Sequence, residues 1–166
     1  MSVSSRYKIR QLTANDIALV DALSRLFGEA FDDIDTYIGN RPSPEYVHQL
    51  LESDYFLALV ALEEETVVGG IAAYELKKFE QERSEIYIYD LAVAAAYRRE
   101  GIATGLIEAL RKIAADRGAY VIFVQADTDV VDQPAIALYT KLGTREEVFH
   151  FDIAVEDSDE FEGERN

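Results

Sequence analysis

The chain contains no cysteine among its 166 residues. That removes disulfides, thiolate metal sites and any cysteine nucleophile. Long apolar runs are also missing, since none approaches the roughly 18 residues a membrane-spanning helix needs. The opening residues Met1-Ser-Val-Ser-Ser-Arg-Tyr-Lys-Ile9 lack the apolar core of a signal peptide, so a cytoplasmic location is expected. Positive charge is scarce: 16 Lys and Arg stand against 32 Asp and Glu, a net −16. This argues against nucleic acid or an anionic membrane surface as a partner. The two histidines, His48 and His150, are far apart in sequence, and no other residues have ligand spacing, so no metal is expected.

The composition that remains, 49% hydrophobic with 11% aromatic, is that of a globular protein. One domain over residues 1–155 is expected, followed by an acidic tail at 156–166 that holds six acids and one arginine. The acidic balance serves solubility or attracts a polycationic substrate. Tyr7–Leu12 alternates as a first strand. Thr13–Asp16 offers caps for a helix with Ile17, Val20, Leu23, Leu26 and Phe27 on one face, ending near Phe31. An acid-rich irregular connection leads to Pro44, which opens a short helix. Strands are expected at Tyr55–Leu62 and Thr66–Lys77, with Gly69-Gly70 marking a bulge or a close backbone approach. A strand over Ser84–Val93, a helix from Ile102 capped by Gly118, and a doubly covered strand at Ala119–Gln125 follow. Asp132 can cap the next helix, which Gly143 ends, and Glu147–Val155 alternates as a final strand. The order β-α-α-β-β-β-α-β-α-β describes a mixed α/β domain.

Its centre is the stretch from Ser84 to Arg117, a buried strand, a turn and a helix N-terminus carrying Arg98, Arg99, Gly101 and Ala103. First-turn N–H groups have no partner inside the helix and suit phosphate oxygens, and arginine adds fixed charge. The Walker spacing Gly-x-x-x-x-Gly-Lys and the dinucleotide Gly-x-Gly-x-x-Gly are both absent.

The pattern Leu91-x-Val93-x-x-x-x-Arg98-Arg99-x-Gly101-Ile102-Ala103, with Asp132-x-x-Ala135-x-x-x-Tyr139-x-x-x-Gly143 downstream, resembles the acetyl-coenzyme A signature of the GNAT N-acetyltransferases. Arginine at 98 replaces the common glutamine, and Asp132 the usual asparagine. The match is longer still with the type I aminoglycoside 3-N-acetyltransferases. It runs through Tyr74, Lys78–Gln81, Arg83–Val93, Ala119–Ile122, Val124–Asp127, Ala137–Gly143, Arg145–Val148 and His150–Ile153.

That resemblance implies the GNAT fold, a mixed central sheet flanked by helices with splayed central strands. It implies acetyl-coenzyme A as cosubstrate, with its pantetheine arm on the backbone of Leu91, Ala92 and Val93. The pyrophosphate is expected on Arg99, Glu100, Gly101, Ile102, Ala103 and Thr104, beside Arg98, and Asp132 and Ala135 join the cofactor set. A backbone N–H near Leu91 would meet the thioester carbonyl. The general base is Asp90 or Glu85; strand parity alone sets them on opposite faces unless a bulge intervenes, and Asp90 is preferred for its place beside the thioester. Tyr139 either protonates the departing thiolate or is a core tyrosine of its helix. Asp152 first, then Glu80, Asp127, Tyr74 and the Asp32–Asp35 cluster, are expected to receive a polycationic substrate.

The implied activity is transfer of acetyl to the 3-amino group of gentamicin-like aminoglycosides by direct attack in a ternary complex, conferring resistance, in a likeness whose members are commonly homodimers. Rival readings are a polyamine or protein N-terminus as acceptor, and a non-catalytic acyl-coenzyme A sensor.

Overall fold

The computed structural model describes residues 6–128 and 132–156. The chain forms two compact units, Met1–Ala126 and Asp127–Asn166. Residues 157–166, nearly all of the acidic tail, lie outside the described residues.

The first unit runs β1 (Lys8–Gln11), α1 (Ile17–Ala30), α2 (Pro44–Glu52), β2 (Phe56–Glu63), β3 (Thr66–Lys77), β4 (Ser84–Val93), α3 (Ile102–Asp116) and β5 (Ala119–Val124). The strands form one sheet in chain order. β1 through β4 pair antiparallel, and β5 joins β4 in parallel. A parallel neighbour cannot be reached by a hairpin, so α3 supplies the crossover. This mixed five-stranded sheet with flanking helices is the GNAT fold.

Gly69 and Gly70 show how the sheet is covered. A Cβ on Gly69 would sit 3.1 Å from Ile102 of α3, whereas one on Gly70 would strike Leu23 of α1 and lie 2.7 Å from the Leu59 carbonyl. Successive residues of a strand face opposite sides, so α3 and α1 cover opposite faces, each pressed close to the backbone. α1 buries Leu23, Leu26 and Phe27 against Ala58, Val60 and Ala92. Leu59, Ile71, Ile86, Leu106 and Leu110 are fully buried. Burying such a side chain is worth about 1.5–3 kcal/mol.

One buried acid ties the sheet to the end of α3. Glu75 accepts from the Ser84 hydroxyl at 2.6 Å and from Arg117 Nη2 at 2.8 Å. Burial alone would raise its carboxyl, but Ser84 and Arg117 outweigh it and hold the group below the usual range.

Four expectations are corrected. The acid-rich connection after α1 contains a π-type turn at Asp35–Gly39. β5 is not covered on both faces, since its successive residues Tyr120 and Val121 are exposed, and among the described residues it pairs with β4 alone; an apolar run gives strand length, not the number of covered faces. In the second unit, α4 spans Gln133–Leu142, and Asp132 precedes it without a side-chain cap bond; its carboxylate accepts instead from the Asp127 amide at 3.1 Å. Residues 147–155 form no strand, and Phe149, Phe151 and Ile153 are exposed. Alternation supplies the propensity, but a strand exists only through ladder partners, and none of the described residues pairs with this segment.

Candidate active site

Strand β4 carries the site, and a bulge decides what it presents. Tyr87 pairs with Tyr74 and Ile88 with Ala73, but Asp90, not Tyr89, pairs with Ala72. Tyr89 is therefore the extra residue, and beyond it the parity of β4 reverses. Ile86 and Ile88 face α3, whereas Asp90 and Ala92 face α1, opposite Ala72 and Gly70. Without the bulge Asp90 would share the face of Ile88; with it, Asp90 lies on the same face as Glu85 and Tyr87. The two candidate bases thus share a face but stand five residues apart, roughly 16 Å at the rise of a strand.

Their surroundings differ. Glu85 lies 3.6 Å from Lys78 and accepts from the Tyr120 hydroxyl near the sheet edge. Asp90 is half-buried, and its Oδ1 accepts from the Tyr37 hydroxyl at 2.8 Å. Burial pushes the Asp90 carboxyl above its usual range, and the Tyr37 bond, which favours the ionised form, offsets part of that rise. Burial and the bond to Asp90 push the Tyr37 phenol upward in turn, so it keeps its proton and donates.

Tyr37 comes from the π-type turn, a geometry that recurs at functional sites. Its ring lies 5.9 Å from Phe27 and 5.7 Å from Phe31, and its carbonyl accepts from the Ser24 hydroxyl. Sequence reasoning missed this residue. The available signal was a lone aromatic after the Asp32–Asp35 acids, next to a helix face rich in phenylalanine.

The edge of β4 opens beside Asp90. β5 pairs with β4 from Ser84 to Ile88, so among the described residues Tyr89–Val93 is bonded on the β3 side alone. Leu91, Ala92 and Val93 lie on this free edge. The chain then turns through a short 3-10 segment, and Arg98 Nε reaches back to the Val93 carbonyl at 3.4 Å. Arg99 has φ +65° and Gly101 φ +81°. A Cβ on Gly101 would meet nothing within 4 Å, so glycine is needed there for conformation, not room. Gly101 caps α3 without a side-chain bond, which leaves the first-turn amides of Ile102, Ala103 and Thr104 available to an anion. Arg98 and Arg99 supply positive charge nearby, while Glu100 is engaged by the Tyr7 hydroxyl. A free strand edge leading to an uncapped helix N-terminus suits a long ligand with amide groups at one end and phosphates at the other.

The other expected residues fall elsewhere. Tyr74 lies on the Asp90 face of β3, half-buried between Phe56 and Tyr89. Glu80 is exposed in the β3–β4 loop, 3.4 Å from Lys78. In the second unit, Ala135 occupies the first turn of α4, and Asp127 is exposed. Asp152 lies in the irregular segment, 2.8 Å from His150 Nε2, and not in the strand expected to aim it. Burial beside Asp132 pushes the Tyr139 phenol up to about 12. Among the described residues no three His, Asp or Glu side chains gather as a metal site, and no helix is long and apolar enough to cross a membrane.

The fold, the splayed strand edge and the bare helix N-terminus together define an acetyltransferase architecture, and the Acetyltransferase (GNAT) family profile matches residues 19–144. The chain belongs to the GNAT family. Among solved structures, it is 67% identical to an aminoglycoside acetyltransferase from an uncultured soil metagenomic sample, with a TM-score of 0.89 over 90% of this chain and 99% of that one. A second aminoglycoside acetyltransferase of soil metagenomic origin, in complex with sisomicin, is 32% identical with a TM-score of 0.84 over 93% of this chain and 100% of that one. The chain spans about half the length of the curated relatives it matches. N-acetyltransferase 8 of Homo sapiens is 28% identical over 119 residues, 64% of this chain and 52% of that protein.

Proposed function

We propose that this protein transfers acetyl from acetyl-coenzyme A to an amine of an aminoglycoside, the 3-amino group of gentamicin-like antibiotics, and thereby confers resistance. The observation that carries this reading is the 67% identity, over nearly the whole length of both chains, to an aminoglycoside acetyltransferase. The longer resemblance to type I 3-N-acetyltransferases supports the choice of amine.

The residues present fit the cosubstrate, which supplies an activated acetyl thioester. The free edge at Leu91–Val93 offers backbone groups to its amide arm, and the amides of Ile102–Thr104, with Arg98 and Arg99, offer donors to its phosphates. Asp132 and Ala135 are further proposed contacts, resting on the resemblance alone.

Asp90 acts as general base. An ammonium has no lone pair, so its proton must leave before attack, and a carboxylate raised above the usual range is better matched to that task near neutral pH. Tyr37 orients the carboxylate through one oxygen and leaves the other free for the amine. A backbone N–H near Leu91 serves the developing oxyanion. Glu85, engaged by Lys78 and Tyr120, serves binding rather than proton transfer. Tyr139 is proposed as acid toward the departing thiolate on the resemblance alone. Glu80, Asp127 and Asp152 are proposed contacts for the other ammonium groups. With no cysteine in the chain, no acetyl-cysteine forms, which supports direct transfer.

The test is thiol release across a panel of aminoglycosides, one lacking the 3-amino group, alongside spermidine. The protein contributes no thiol background. Turnover that disappears with the 3-amino group is expected. Saturable turnover of spermidine with none of any aminoglycoside overturns the substrate assignment, and acetyl-coenzyme A binding without thiol release for any amine overturns the reaction.

A further inference from the structure

Four strands bring aromatic rings into one row on the Asp90 face of the sheet. Phe56 of β2 is in register with Tyr74 of β3, Tyr74 with Tyr87 of β4, and Tyr87 with Phe123 of β5. Phe56 and Tyr74 lie 5.4 Å apart between ring centres, and Tyr87 and Phe123 stack at 4.7 Å with their planes 3° apart. Tyr89, the bulged residue, stands edge-on to two rings of the row, 6.1 Å from Tyr74 and 5.8 Å from Tyr87. The row is half-buried, while Tyr89 is 62% exposed.

Packing alone does not account for this arrangement. Elsewhere on this face, under α1, the sheet carries small and aliphatic side chains such as Ala58, Val60 and Ala92. Phe56 packs against that core and the other rings carry the row beyond it, and a carboxylate on the same face of β4 stands on either side of them: Asp90 immediately after Tyr89, and Glu85 two residues before Tyr87. Ring faces carry negative potential and attract an ammonium group, more strongly when water is displaced. They also offer a flat apolar surface to the C–H face of a sugar ring.

We infer that the row Phe56–Tyr74–Tyr87–Phe123, with Tyr89 as its wall, is the floor on which a cationic amino sugar docks, its reacting amine directed to Asp90 and a second amine toward Glu85. The inference rests on the aminoglycoside reading and deepens it. The same floor serves a sugar better than a linear polyamine, because a polyamine has charge but no ring face to lay against the row. Tyr89 is the residue that sets this preference, since it is the exposed ring closest in sequence to the base.

The test is calorimetric titration of sisomicin into the full-length protein saturated with coenzyme A, with kinetics run in parallel. Tyr89→Leu should weaken sisomicin binding about tenfold, the order of a partly desolvated cation–π contact. Spermidine binding should change less than twofold. Tyr89→Phe should bind within twofold of the unsubstituted protein, because the ring and not the hydroxyl makes the contact. The acetyl-coenzyme A KM should stay fixed in both variants, and circular dichroism checks folding. Sisomicin affinity in Tyr89→Leu and in the Tyr74→Leu/Tyr89→Leu double variant equal to that of the unsubstituted protein overturns the inference, as does a protein that binds no sisomicin. Binding that depends on Tyr89 without any acetyl transfer supports the floor while refuting the proposed reaction, so the two failures are distinguishable.

Discussion

Replacing Tyr37 with phenylalanine removes one hydroxyl and leaves the ring among Phe27 and Phe31, so the fold should survive. What changes is Asp90, whose carboxylate loses the donor at 2.8 Å. A hydrogen bond to a charged group contributes about 1.5–3 kcal/mol. Because that bond favours the ionised form, its loss raises the Asp90 pKa further. Solvent reaching the half-exposed carboxylate takes up part of the lost interaction, so the effect falls at the low end of that range. The acid limb of the kcat/KM profile, measured by thiol release between about pH 5 and 9, should move to higher pH. The plateau at high pH should be retained to within a few fold. An acid limb that does not move, in a protein whose Asp90→Asn variant is inactive, would refute the reasoning: Asp90 would then be the base without Tyr37 setting its ionisation.

Asp90→Asn should lower kcat by about 10²–10⁴ while sparing acetyl-coenzyme A binding. Since the folded pKa of Asp90 is raised, its contribution to stability is full below the unfolded value and is lost as pH rises through the folded one; the neutral amide, which still accepts from Tyr37, should keep or raise the melting temperature at pH 7. Glu75→Gln should destabilise by about 2–4 kcal/mol in urea, by taking the carboxylate from Arg117, which keeps only the Asp54 carbonyl as a full acceptor. Because the Glu75 pKa is lowered, the stability that the unsubstituted protein draws from it is present above the ordinary carboxylate range and lost as pH falls through the lowered value, so the gap to Glu75→Gln should close in acid. Gly70→Ala places a methyl against the Leu59 carbonyl and Leu23, for a cost of about 1–3 kcal/mol in thermal melts. Gly101→Ala meets no neighbour but must hold φ +81°; a loss of about 1–2 kcal/mol and a raised acetyl-coenzyme A KM are expected.

Much of the fold could be read from local pattern. The bounds of β4 and β3, the start of α1 at Ile17 and the glycine ending α3 all follow from periodicity and turn chemistry within a few residues of each position. What escaped depends on partners far along the chain. The reversal at Tyr89 is decided by Ala72 and Ala73 on the neighbouring strand, so parity within β4 could not resolve whether Glu85 and Asp90 share a face. Tyr37 reaches Asp90 across fifty-three residues, and the aromatic and acidic residues near it in sequence mark the segment without naming its partner. The alternation at 147–155 was a sound local signal without a ladder behind it. Tyr87 and Tyr89 lay inside the quoted motif, yet their significance needed the rings of three other strands.

The bulge also makes the site sensitive to counting rather than chemistry. Most substitutions at Tyr89 would leave Asp90 facing α1, because the reversal comes from having one residue more than β3 can pair. Giving Tyr89 a partner, by one residue inserted in β3 between Ala72 and Ala73, would restore an uninterrupted ladder, relieve an irregularity, and turn the carboxylate through the sheet into the apolar layer beneath α3. A β3 one residue longer would thus make the more regular strand pair and misplace the proposed base, so the count of residues in the two strands, more than the identity of the bulged residue, is what selection on activity would hold fixed.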